Sequence, residues 1–250
     1  MWRSALWITG LMVGGGVAAS LAGIRPGWGV AISLAISAAW VVARVIIVRL
    51  AHSAFRVGNY GRASGLYWLL RWLYPSRAAR EATRVSRAAC QVGLADYRRA
   101  LTMLDAITAG KLDEAARAAW LNNRAYALAR LGEQLQDALD ASSRAVSLRP
   151  TLAGFRHTRG VVLLALGRFQ EAVRDLDEVW KQTADESALL ESERCYDLGM
   201  AWQGLGETDY ALDYFERARR AVPGNRWADL AEAELGPRAE RAGSVADLVP

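Results

Sequence analysis

The hydrophobic pattern divides the chain into two regimes. Residues 4 to 24 carry no charge for 21 positions, and residues 26 to 43 carry none for a further 18, with Arg25 between them. Each run is long enough, or nearly so with its flanks, to cross a bilayer. Beyond about position 50 the apolar residues recur three and four apart with polar residues between them, the period of amphipathic helices. Few β-branched runs occur outside the first 50 residues, so no strand pattern competes. An all-α chain is expected, with a two-helix transmembrane hairpin followed by shorter helices that pack through one face.

A second pattern runs through the amphipathic part. Small residues recur at Ala51, Ala88, Ala125, Gly160 and Gly199, and seven residues after each comes Gly58, Ala95, Gly132, Gly167 and Gly206. Both series step by 37, 37, 35 and 39 residues. Five residues further on stand Ala63, Ala100, Ala172 and Ala211, while Ala138 arrives one position late, which implies a one-residue insertion in the turn around Gln134. Pro75, Pro150 and Pro223 close the first, third and fifth copies. Each copy reads as a helical hairpin: a small residue where two helices touch closely, a left-handed turn, a small residue facing back, and a stop. The competing reading is a bundle of short amphipathic helices without a repeat.

The stretch from Asp197 to Pro223, with Gly199, Gly206, Ala211, Phe215, Ala218 and Pro223, resembles a tetratricopeptide (TPR) repeat. The resemblance extends over roughly residues 44 to 223, and the turn from Gly167 to Ala172 follows the family pattern well. It implies an α-solenoid of about five hairpins whose first helices line a concave groove. That groove would present Asn122, Tyr126 and Arg130, then His157, Val161 and Leu164, then Tyr196, Met200 and Gln203, a mixed surface suited to a peptide or partner helix. The same residues also read simply as exposed helix positions. The family subset that clamps a C-terminal carboxylate is disfavoured, because Val85 and Ala89 stand where it needs Lys and Asn, and only Asn123 fits.

The expected domains are a transmembrane hairpin over 1–48 (spans about 4–24 and 28–48), repeats over 49–223, a polar capping helix over 224–236 with Glu232 and Glu234 outward, and a flexible tail over 237–250. The first span also reads as a signal peptide. Small residues four apart, Gly15, Ala19 and Gly23 in one span and Ala31, Ala35, Ala39 and Ala43 in the other, would allow close helix packing or a homo-oligomer. Between Arg44 and Arg80 seven arginines accumulate with no acid before Glu81, so the repeats are expected on the cytoplasmic side of the cell membrane. The helix from Gly65 to Tyr74 is ambiguous: its aromatics serve either as repeat core or as a belt in which Trp68, Trp72 and Tyr74 sit at headgroup level beside Arg62 and Arg71. Two spans, an Arg-rich juncture and helical repeats also resemble the layout of bacterial HemY-type membrane proteins.

Charge and chemistry narrow the function. The net charge of +5 comes from the first 80 residues, with nine arginines and no acid; residues 81 to 250 hold 22 basic and 26 acidic side chains. Nucleic-acid binding is therefore not expected of the repeats. No nucleophile motif, phosphate loop or metal-ligand spacing is found, so no enzyme, cofactor or metal is expected, and His52 and His157 stand alone in the sequence. Cys90 and Cys195 lie in different repeats and are expected to be buried thiols. Arg159 and Asp175 are placed to pair across the fourth hairpin. The expected role is a membrane-anchored TPR adaptor or scaffold that binds a protein or peptide, with a structural subunit of a larger membrane complex as the alternative.

Overall fold

The computed structural model describes residues 26–182 and 188–246, with a few isolated positions between 13 and 23. Among the described residues there are eleven α-helices, one 3-10 turn and no strand. In chain order they are α1 (Pro26–Arg56), α2 (Tyr60–Leu73), α3 (Arg77–Gly93), α4 (Tyr97–Asp105), α5 (Glu114–Leu131), α6 (Leu135–Leu148), α7 (Ala153–Ala165), α8 (Phe169–Gln182), α9 (Ala188–Gly204), α10 (Thr208–Ala221) and α11 (Arg226–Ala246). They pair as five hairpins in sequence, with α11 packed on the last.

The turn residues are all left-handed: Gly58, Ala95, Gly132, Gly167 and Gly206 have φ of 77°, 59°, 71°, 72° and 82°. After each one, the next amide reaches back to a carbonyl five residues earlier. Asn59, Asp96, Glu133, Arg168 and Glu207 donate to Ala54, Gln91, Leu128, Leu163 and Trp202 at 2.9–3.0 Å. This is one Schellman closure used five times, and it satisfies carbonyls that a helix end otherwise leaves unpaired. Alanine holds the position in the second hairpin although its Cβ disfavours that conformation. Gln134 is left-handed too, at φ 46°, and is the inserted residue of the third turn.

The small residues lie where helices touch. Ala51, Ala63, Ala88, Ala100, Ala125, Ala138, Ala172 and Ala211 are fully buried. A Cβ on Gly160 would come 2.8 Å from Leu176, and one on Gly199 would come 2.5 Å from the Phe215 ring. Polar N-caps fix several helix starts: Asn59, Ser76, Asp96 and Asp113 accept from the amides of Arg62, Ala79, Arg99 and Ala116. Burial pushes the Cys90 and Cys195 thiols up to about 12, and both cysteines are free.

As the sequence from Leu50 to Arg56 implies, the predicted second span continues into the first helix of the first hairpin as one uninterrupted helix, α1; the first span lies almost wholly outside the described residues, so a two-helix hairpin is not seen. Two expectations change. The sequence reads as a longer, more polar connection from Trp180 to Leu190, but the connection is shorter, because α8 continues to Gln182 and α9 begins at Ala188. The capping helix does not stop at 236 but runs to Ala246.

Candidate functional site

The first helices of the third, fourth and fifth hairpins, α5, α7 and α9, converge on a buried polar cluster. Arg130 on α5 forms a bidentate pair with Asp197 on α9, Nη1 to Oδ1 at 2.8 Å and Nη2 to Oδ2 at 2.7 Å, and also donates to Glu193 Oε1 at 2.9 Å. The Tyr126 hydroxyl accepts from Arg130 Nε at 2.9 Å and donates to Glu193. His157 on α7 brings Nε2 to 3.3 Å from Asp197 Oδ2, off line for a hydrogen bond. Asp197 is fully buried, and Trp227 at the start of α11 lays its ring 4.4 Å from the guanidinium carbon of Arg130. Trp227 is held there by Asn225, whose Oδ1 accepts from the Trp227 and Ala228 amides.

The electrostatics follow from burying two carboxylates beside one arginine. Burial opposes the charge on Asp197, but Arg130 and His157 outweigh it and hold the carboxyl below its usual range. Burial likewise opposes charge on Arg130, and Asp197, Tyr126 and Glu193 raise it well above its ordinary value. For His157, burial lowers the pKa, but contact with Asp197 and the field of Glu193 prevail and raise it. Protonated His157 would balance the cluster at two positive and two negative charges.

This gives a pH dependence with a definite sign. The raised His157 contributes stability that is complete below its unfolded value of about 6.5 and is lost as pH rises through the higher folded value. The lowered Asp197 contributes stability present above about 3.9 and lost as pH falls through its folded value. Between these limits the fold should be most stable. His157→Asn should flatten the decline above pH about 6.5, read from urea midpoints across pH; parallel profiles for the two proteins would show that His157 titrates alike in the folded and unfolded chains.

The nine expected groove residues are thus not equally open. Tyr126, His157 and Val161 are buried, and Arg130 is committed to the cluster. Leu164, Tyr196 and Met200 are half-buried against the apolar cores of the fourth and fifth hairpins. Tyr196 packs its ring 5.6 Å from Trp227. Asn122 and Gln203 remain partly exposed. Gln203 donates to Glu234 at 3.4 Å, so Glu234 faces α9 instead of solvent. The face is narrowed because the array curves tightly: Arg226 Nη1 donates to the Tyr97 hydroxyl at 2.8 Å across 129 positions. Arg159 and Asp175 pair as expected, at 2.5 and 2.6 Å.

Sequence reasoning did not find Glu193, Asp197 and Trp227. The available signal was an acidic pair four apart on α9 matching Tyr126 and Arg130 four apart on α5. His157, Glu193 and Asp197 bring ligand atoms within 4.8 Å of one another, a donor set that suits a divalent cation. The Arg130 guanidinium already lies against both carboxylates and supplies that positive charge.

No protein-family model matches the chain, and no curated protein matches it. Solved structures do. The thermophilic TPR protein TTC0263 from Thermus thermophilus superposes with a TM-score of 0.53 at 19% identity, over 76% of this chain and 97% of that one. YrrB, described as a TPR protein with an unusual peptide-binding site, gives 0.42 at 21% identity over 75% and 90%. MamA gives 0.42 at 19% identity over 71% and 91%. At such identities the likeness establishes the fold, an array of TPR-type hairpins, and the TTC0263 match carries it.

Proposed function

We propose, on the premise of that fold, that the chain is a membrane-anchored scaffold whose repeats lie in the cytoplasm and bind a protein segment. The observation that carries the reading is α1. From Trp28 to Arg56 it is long and apolar enough to cross a bilayer, only 6% of its most apolar stretch is buried, and it runs without a break into the first hairpin. A soluble core helix of that composition would be covered by its own chain. The arginines from Arg44 to Arg80 support the cytoplasmic side.

Binding is supported by acceptors that the fold leaves unused. Asn122 Oδ1 on α5 and Gln203 Oε1 on α9 are buried without a hydrogen-bond partner, although both residues are partly exposed. Such atoms cost about 1–3 kcal/mol unless water or a ligand donates to them, and a turn of either amide toward the groove would offer its oxygen to the amides of an extended peptide. Met200, three positions before Gln203 on α9, is adaptable. Asn122→Leu with Met200→Glu should keep helical content and release a copurifying protein in mild detergent, and an alkaline phosphatase fusion after Pro250 should be inactive in a bacterial host. Phosphatase activity would reverse the topology.

A structural subunit is the second reading, favoured by the exposure of Ala31, Ala35 and Ala39 along α1. That face suits close packing with another span or a second copy. Loss of the partner on enlarging these alanines, with the groove variant unaffected, would select it.

A further inference from the structure

We propose that α2 is a second membrane contact, its outward face of Trp68, Leu69, Arg71 and Trp72 lying in the anionic headgroup layer of the bilayer that α1 enters; this rests on reading α1 as a span. The helix has two apolar faces. Ala63, Tyr67 and Leu70 are buried in the first hairpin. On the other side Trp68, Leu69 and Trp72 are 48%, 40% and 69% exposed, with the two indoles edge to face at 6.3 Å. Three large apolar side chains side by side mark a surface that something covers.

The hairpin geometry says what lies beside them. Phe55 packs on Tyr60 at 5.2 Å, His52 on Tyr67 at 5.8 Å, and the Arg44 guanidinium carbon lies 5.5 Å from the Tyr74 ring. The second helix therefore descends along the first, from the turn at Gly58 back to the level of Arg44. Arg44 is the first charge after the uncharged run from 26 to 43. At about 1.5 Å per residue that run spans roughly 27 Å, close to the hydrocarbon thickness of about 30 Å, so Arg44 marks the headgroup level. Trp72 is within a turn of that level, and Trp68 one turn above it.

The chemistry matches the depth. Tryptophan and tyrosine favour the membrane interface, and arginine there meets lipid phosphate. Arg44 lies between Trp40, at 4.9 Å, and Tyr74, while Arg71 lies 5.8 Å from the Trp72 ring. Arg77 and Arg80 follow at the start of α3, and no acid occurs between Arg44 and Arg80 to repel an anionic surface.

The test uses the full chain with Trp72→Cys labelled by a polarity-sensitive nitrobenzoxadiazole dye, in vesicles of phosphatidylcholine with phosphatidylglycerol. Cys90 and Cys195 are buried and do not compete for the label. Leu94→Cys is the control, exposed at the far end of α3. The Trp72 site should emit to the blue and be quenched by nitroxide-headgroup lipid, more strongly with phosphatidylglycerol than without, and the Leu94 site should do neither. Matching spectra at both sites, in a chain that resists carbonate extraction, would overturn the proposal and leave the span intact. A blue shift that the nitroxide lipid does not quench would assign the face to a protein contact instead. Equal quenching without phosphatidylglycerol would overturn the anionic preference. Release by carbonate would overturn the span and this proposal together.

Discussion

Arg130→Met is expected to destabilise the fold by about 3–5 kcal/mol, because it leaves the buried Glu193 and Asp197 without the guanidinium that pairs with both. Asp197 is fully buried and both its oxygens accept from Arg130, so neither can turn to water. The loss should appear as a lower urea midpoint of the helical signal of the full chain in mild detergent. Arg98→Met is the comparison. Arg98 pairs with Glu133 at 2.6 Å, but both are exposed, and such a pair contributes at most about 1 kcal/mol. Adding Glu193→Gln and Asp197→Asn to Arg130→Met should restore much of the loss, since the cost lies in unpaired charge. Equal midpoints for Arg130→Met and Arg98→Met would show that the cluster does not hold the array together.

Phe215→Ala should cost about 3–5 kcal/mol, the range for emptying a buried aromatic site. Phe215 is fully buried, and its ring fills the space left by the missing Cβ of Gly199. Gly199→Ala alone should cost about 1–3 kcal/mol by overpacking. The two sites are one contact, so their effects should not add. Gly199→Ala combined with Phe215→Leu should be less destabilised than the sum of the two single changes, measured by the same midpoints; additive losses would mean the residues do not face each other.

Both experiments concern features of different legibility. Gly199 and Phe215 could be read from the chain because hairpin packing repeats: the same close approach needs a small residue at the same offset, and the same turn needs a residue tolerant of positive φ. The late arrival of Ala138 even located the extra left-handed residue at Gln134. The cluster was not legible in that way. Helical spacing tells which side chains share a face of α5 or α9, but not how sharply successive hairpins curve, and curvature decides whether Arg130 meets solvent or Asp197. Trp227 was hidden for a related reason, since a terminal helix is read as a polar lid from its composition, while its first turn crosses onto Arg130. The aromatics of α2 were divided between two readings, and the structure separates Tyr67 in the core from Trp68 and Trp72 outside it.

The ties from α5 to α9 also alter how the array behaves as a whole. A solenoid in which each hairpin touches only its neighbours frays from its ends one unit at a time. Here Tyr126 and Arg130 of the third hairpin grip Glu193 and Asp197 of the fifth, and Arg226 of α11 reaches Tyr97 at the start of α4 in the second. The terminal hairpin cannot peel away without opening the middle, so the coil is latched like a closed spring washer and should open as a block. α1 transmits such motion. With no hinge between Trp28 and Arg56, a change of tilt within the bilayer would, on the proposal that α1 is a span, swing the hairpin tip about an arm of some 30 Å, roughly 5 Å for about ten degrees. On that proposal α1 would be a lever that fixes the heading of the whole coil, and a partner seated on the repeats would meet it at a set height and angle above the lipid.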